Sequence, residues 1–127
     1  MKSRRLIILC LTVLFLSAVT LAFATPPKDI HLEYNPDTGE LTIRAAHVSQ
    51  DLNKHYIRRA VVVKNTQEPQ NFYFTRQTQP DQFEATVTFR VDVGDQVSVK
   101  LYCSEGGVGE ASLDIQQPAP EEAKEQN

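Results

Sequence analysis

Hydrophobic and polar residues alternate along most of the chain, in short runs separated by turn residues. The clearest run covers residues 83–91, where every second residue is apolar and the residues between are polar or charged. A period of two is typical of a β-strand with one face in a core and the other in water. Comparable runs begin at Ile30, Leu41 and Val97, after segments that carry Pro, Gly, Asn or Asp. With no convincing helical period, the pattern predicts an all-β protein.

The spacing of these runs predicts about seven short strands, which favours an immunoglobulin-like β-sandwich. An open barrel is the competing arrangement. The third strand is expected to start at His55 and to place His55, Ile57, Val61 and Val63 in one inward row.

Three segments of different composition follow one another along the chain. Residues 1–24 resemble a signal peptide, residues 25–116 carry the strand pattern, and residues 117–127 are rich in Pro, Glu and Gln. The middle segment is long enough for one core and too short for two domains. We therefore expect one sandwich domain followed by a disordered acidic tail.

The N-terminal segment has the parts of a cleavable signal peptide. Basic residues lie within the first five positions, an apolar run covers residues 6–23, and Ala22-Phe23-Ala24 offers the small residues that signal peptidase accepts. Cleavage after Ala24 would make the protein periplasmic or secreted and leave it without a stable membrane anchor. The alternative is an uncleaved anchor, because about 18 apolar residues can just span a bilayer.

The charge balance disfavours a nucleic-acid partner. The chain has 13 basic and 16 acidic residues, and loss of the three basic residues of the signal peptide leaves 10 against 16, a formal charge of −6. Binding to phosphates requires a basic surface. The sequence also lacks a Gly-rich phosphate loop, a serine-nucleophile elbow and a CxxC pair.

The two cysteines give an unusual count for an exported domain. Cys10 lies in the signal peptide, so Cys103 is left without an intramolecular partner. A lone thiol in an oxidising compartment can serve as a metal ligand, a reactive or carrier thiol, an intermolecular disulfide partner or a small buried hydrophobe.

Two histidines share the pattern of Cys103. His47, His55 and Cys103 each fall on the apolar phase of a predicted strand, near its end, which predicts that they point to the core side and converge. Two imidazoles and a thiolate suit iron, copper or zinc. The competing interpretation is two hydrogen-bonded rim histidines and a packed cysteine. His31 is out of phase and is expected on the surface.

These residues also carry a resemblance to a known family. His47, the run His55-Tyr56-Ile57 and the pair Tyr102-Cys103, preceded by Gly94-Asp95, resemble motifs of the desulfoferrodoxins and superoxide reductases in their iron-binding immunoglobulin-like domain. The resemblance implies iron held by His47 and His55 with Cys103 as axial thiolate. It also implies a redox role towards superoxide and an electron-donor protein as partner.

Parts of that family's motif set are missing. Gly106 stands where the family has a histidine, and no Glu-Lys-His motif precedes Leu41, where Asp29-Ile30-His31 is a weak echo. The resemblance thus implies an incomplete ligand set, with the remaining positions left to His31, an acid, water or a second chain of a homo-oligomer.

Two other functions remain open from the sequence. Cys103 is followed by several glycines, as in a non-catalytic sulfur carrier that presents a thiol to partner enzymes. The same three residues could also serve a metallochaperone or sensor for copper or zinc.

Overall fold

A computed structural model describes residues 25–117 of the chain. The predicted signal peptide and residues 118–127 lie outside the described residues, so cleavage after Ala24 and the acidic tail stay predictions. Within this range no helix is long and apolar enough to cross a membrane. The described chain forms seven strands: β1 (Lys28–Asn35), β2 (Glu40–Ala46), β3 (Ile57–Lys64), β4 (Gln70–Tyr73), β5 (Gln82–Thr88), β6 (Gln96–Cys103) and β7 (Val108–Asp114).

The strands form two antiparallel sheets. One has the order β1-β2-β5 and the other the order β4-β3-β6-β7. The predicted all-β sandwich of about seven strands is confirmed. In constant-type immunoglobulin domains the fourth strand belongs to the sheet of the first two strands, whereas β4 here pairs with β3. The immunoglobulin-like assignment stays a prediction.

The core lies between the two sheets and follows the alternation seen in the sequence. Side chains from both sheets are fully buried in it, among them Leu41 and Ile43 of β2 and Val97, Val99 and Leu101 of β6. Because these residues are two apart on their strands, each strand sends one face into the core. Burial of this apolar surface is the main stabilising contribution to the fold.

The alternation of buried and exposed side chains continues beyond the end of β5. β5 ends at Thr88, yet Phe89 and Val91 remain buried. The Phe89 N–H donates to the Gly39 carbonyl, and the Val91 N–H donates to the Tyr34 hydroxyl. The alternation therefore continues because other groups satisfy the backbone after the sheet pairing stops.

The inward row predicted for β3 is wrong beyond Ile57. The pairing of β3 with β6 shifts register between Ile57 and Arg59, and this irregularity reverses the alternation after it. Ala60 and Val62 consequently enter the core, while Val61 and Val63 are only half-buried. The strand also begins at Ile57 and not at His55.

One end of the sandwich receives three chain segments that matter for the site. β2 ends at Ala46, directly before His47, β6 ends at Cys103, and β3 begins two residues after His55. Neighbouring antiparallel strands bring the end of β6 to the start of β3, where Ile57 pairs with Cys103. The strand arrangement therefore places all three predicted ligands at the same end.

Candidate metal centre

His47, His55 and Cys103 converge at this end of the sandwich. Their ligand atoms all lie within 4.8 Å of one another, and the group could hold a metal ion. The His47 and His55 rings meet edge to face, with centroids 4.8 Å apart. His47 and Cys103 are each only 2% exposed, and His55 is half-buried. His31 is exposed on β1, opposite Arg44, outside this group.

His47 and Cys103 have the spacing of two ligands of one ion. A nitrogen and a sulfur bound to one metal at about 2.1 Å and 2.3 Å lie roughly 3.1 Å apart at a right angle and roughly 3.6 Å apart at a tetrahedral angle. His47 Nε2 lies 3.3 Å from Cys103 Sγ, between these values. The donors fit a transition metal in chemical type as well, because imidazole and thiolate are its common protein ligands.

Gln77 fixes which nitrogen of His47 is available. The Gln77 amide nitrogen donates to the carbonyls of His47 and Gln79, at 2.8 Å and 2.7 Å. Both partners are pure acceptors, so the amide orientation is set, and the Gln77 Oε1 faces His47 Nδ1 at 2.7 Å. An amide oxygen only accepts, so His47 Nδ1 carries the proton. The unprotonated Nε2 therefore points at Cys103, as a metal ligand requires.

The segment that carries Gln77 is tied to both sides of the site. The Gln77 N–H donates to the Leu52 carbonyl, the His47 N–H to Asp81 and the Ser49 N–H to Pro80. These bonds continue the contact of β2 with the chain before β5 beyond the last strand residue. As a result the β4–β5 connection covers His47, and Gln77 is 1% exposed.

Serines hold the loop that carries His55. The Ser49 hydroxyl donates to the His55 carbonyl. The Ser104 hydroxyl donates to the Lys54 carbonyl and accepts from the Tyr56 N–H. The Ser104 N–H donates to the Tyr56 carbonyl. His55 and Cys103 are thus coupled through the residue that follows the cysteine.

Burial favours the uncharged forms of His47 and Cys103 in the absence of metal. Desolvation lowers the pKa of His47, against a smaller opposing effect of its hydrogen bond with Gln77. Desolvation also raises the pKa of the Cys103 thiol. Near neutral pH the Cys103 S–H therefore faces the free lone pair of His47 Nε2. A metal ion would have to displace this thiol proton.

Thr25 reaches the site from outside the sheets. Its hydroxyl lies 2.8 Å from His55 Nε2, and a shallow depression of about 290 Å³ opens between Thr25, Pro26 and His47. Neither Thr25 nor Gln77 is among the site residues predicted from the sequence. Both lie outside the alternating runs, so strand phase gives no signal for them.

No protein-family model, no curated protein and no solved structure matches the chain.

Proposed function

We propose that this is an exported iron-binding protein, related in function to the desulfoferrodoxins, with a redox role towards superoxide. The observation that carries the proposal is the convergence of His47, His55 and Cys103 within 4.8 Å. The hydrogen bond to Gln77 supports it, because His47 is oriented in the tautomer that a metal ligand needs.

Each residue has a separate part in this function. His47 and His55 would hold the ion through imidazole nitrogens, and Cys103 would supply a thiolate that tunes its reduction potential. A bound iron ion would supply one-electron chemistry at a coordination position that the protein leaves open. The buried setting of His47 and Cys103 excludes water from their side of the site.

The number of ligands favours copper as a second candidate. Within residues 25–117, His, Cys, Asp and Glu side chains form one such group, and it has three members. A set of two histidines and one cysteine with a weak further ligand is typical of copper electron-transfer sites. A metallochaperone or sensor would use the same ligands for copper or zinc.

The buried thiol argues against the sulfur-carrier alternative. Cys103 is 2% exposed and is followed by β7, so the thiol is not on a free tail. Burial raises its pKa, and a thiol with a raised pKa is a poor nucleophile at neutral pH.

The test combines metal identity with reactivity. Protein is loaded anaerobically with Fe(II), Cu(I) or Zn(II), and the decay of pulsed superoxide is followed with each form. We expect the iron form to remove superoxide faster than the metal-free protein, and His47→Ala to abolish the difference. His31→Ala is the matched control, because His31 is exposed outside the group. Equal decay with iron-loaded and metal-free protein would refute the superoxide role.

A further inference from the structure

The three side chains leave part of a coordination shell unfilled, and Thr25 brings a hydroxyl group next to one of them. Its hydroxyl lies 2.8 Å from His55 Nε2. Thr25 also lines the same depression as His47. Thr25 therefore contacts His55 and lies beside His47.

Two glycines make this approach possible. A Cβ atom at Gly107 would lie 2.9 Å from Pro26 Cα and 3.3 Å from the Thr25 carbonyl carbon. A Cβ atom at Gly109 would lie closer still to the Pro27 carbonyl oxygen. The Gly107 carbonyl also accepts a hydrogen bond from the Cys103 N–H. The N-terminal segment thus lies directly on the strand end that holds the thiol.

The segment is also stiff. Pro26 and Pro27 both have a fixed φ, and Pro27 is buried. Holding Thr25 at the site therefore costs less backbone entropy than holding a flexible residue would. The stiff segment packs against these two glycines and therefore fixes the position of Thr25.

Thr25 is the residue that the predicted cleavage after Ala24 would make the N-terminus. We propose that signal-peptide removal completes the metal centre, and that the released α-amine of Thr25 becomes a ligand together with His47, His55 and Cys103. The α-amine nitrogen is bonded to Cα, which also carries the carbonyl carbon and the Cβ that bears the hydroxyl. The amine can therefore chelate one ion together with either the hydroxyl oxygen or the carbonyl oxygen. The precursor, whose Thr25 nitrogen is an amide, lacks this ligand.

This inference rests on the proposed metal-binding function and adds a maturation step to it. An amine, two imidazoles and a thiolate form a nitrogen-rich set that suits a divalent first-row transition metal. Full metal affinity would then appear only after export, which separates the finished site from cytosolic metal pools.

The first experiment uses the full chain exported with its own leader. Mass spectrometry of the processed protein should show an N-terminus at Thr25, and any other N-terminus would overturn the inference. A second gene has one Gly inserted after Ala24. Cleavage after Ala24 then leaves the N-terminal amine on this Gly, one residue before Thr25. Co(II) titration should show binding at least about tenfold weaker for the inserted form, as for loss of a supporting metal interaction.

Amine labelling gives a second readout on the same samples. Co(II) should protect the Thr25 α-amine of the native protein from reductive methylation, while the lysines of that sample label normally. Equal Co(II) affinity in both forms with an unprotected amine would overturn the inference and leave the three-residue site standing. No Co(II) binding by either form would instead overturn the proposed metal function.

Two glycine variants form a matched pair. Gly107 and Gly94 have nearly equal positive φ values, +93° and +94°, but a Cβ at Gly94 meets nothing within 4 Å. Gly107→Ala and Gly94→Ala therefore carry similar backbone strain. Only Gly107→Ala should displace Thr25 and lower Co(II) affinity, while Gly94→Ala stays within about twofold of the parent. Equal affinities for the two variants would contradict the placement of Thr25.

Discussion

Replacing Gln77 tests how His47 is prepared for metal. Gln77→Leu keeps a similar volume and removes the buried hydrogen bonds to His47 Nδ1, the His47 carbonyl and the Gln79 carbonyl. At about 1 kcal/mol for each bond, the free energy of unfolding should fall by about 3 kcal/mol. For a domain of this size the Tm should drop by about 12–24 °C. A domain stability of about 5–15 kcal/mol leaves the variant folded at low temperature.

Gln77→Leu should weaken metal affinity by more than its lower folding stability explains. Without Gln77 the proton of His47 is free to move to Nε2, and the ring loses its orientation. We expect metal affinity to fall about 10–100-fold, measured by Co(II) titration at a temperature where circular dichroism shows the variant folded. Gln67→Leu is the control, because Gln67 is exposed in a turn and its loss should change stability by less than about 0.5 kcal/mol.

Gln77→Glu separates positioning from packing. A carboxylate still accepts from His47 Nδ1–H but cannot donate to the two carbonyls. This variant should lose stability like Gln77→Leu and yet retain metal affinity closer to that of the parent. Metal affinities that follow stability equally in both variants would refute the assignment of Gln77 as a positioning residue.

Three further predictions concern the fold, the pH dependence and the thiol. Val62→Ala should lower the free energy of unfolding by about 2 kcal/mol and Val61→Ala by less than about 1 kcal/mol. The reason is that the register shift buries Val62 and leaves Val61 half-buried. Equal urea midpoints for the two variants would contradict the register. In metal-free protein, His47 has a pKa below 6.5, so the unfolded chain takes up a proton first as the pH falls. Cys103 has a pKa above 9.0, so the unfolded chain loses its proton first as the pH rises. Urea unfolding should therefore show stability declining below pH 6.5 and again above pH 9.0 through these groups, and a flat profile would contradict the buried neutral pair. Metal at about 100 times its dissociation constant should stabilise the protein by about 2.7 kcal/mol. This should raise the Tm of the parent but not that of Cys103→Ser. An equal rise in the variant would exclude the thiol as a ligand.

Strand positions could be predicted because alternation reports directly on burial. The rows from Leu41 and from Val97 place their side chains in the core as expected. The β3 row failed after Ile57, because a register irregularity depends on pairing with β6 and leaves no mark on the composition of one strand. Local sequence therefore predicts the strands better than their irregularities.

The convergence of His47, His55 and Cys103 followed from strand phase and from their places near strand ends. The residues that prepare the site did not follow from phase. Gln77 and Thr25 lie in irregular segments, where side-chain direction depends on tertiary hydrogen bonds and on glycine contacts from distant strands. Sequence patterns therefore predicted which three side chains converge and missed the groups that orient and surround them.

The most direct test of the metal centre is the iron content of the processed protein, purified anaerobically with added Fe(II) and then oxidised for an absorption spectrum. We expect about one iron per chain and a visible thiolate-to-iron band, both lost in Cys103→Ser. A metal-free protein whose Cys103 thiol titrates freely under the same conditions would contradict this expectation.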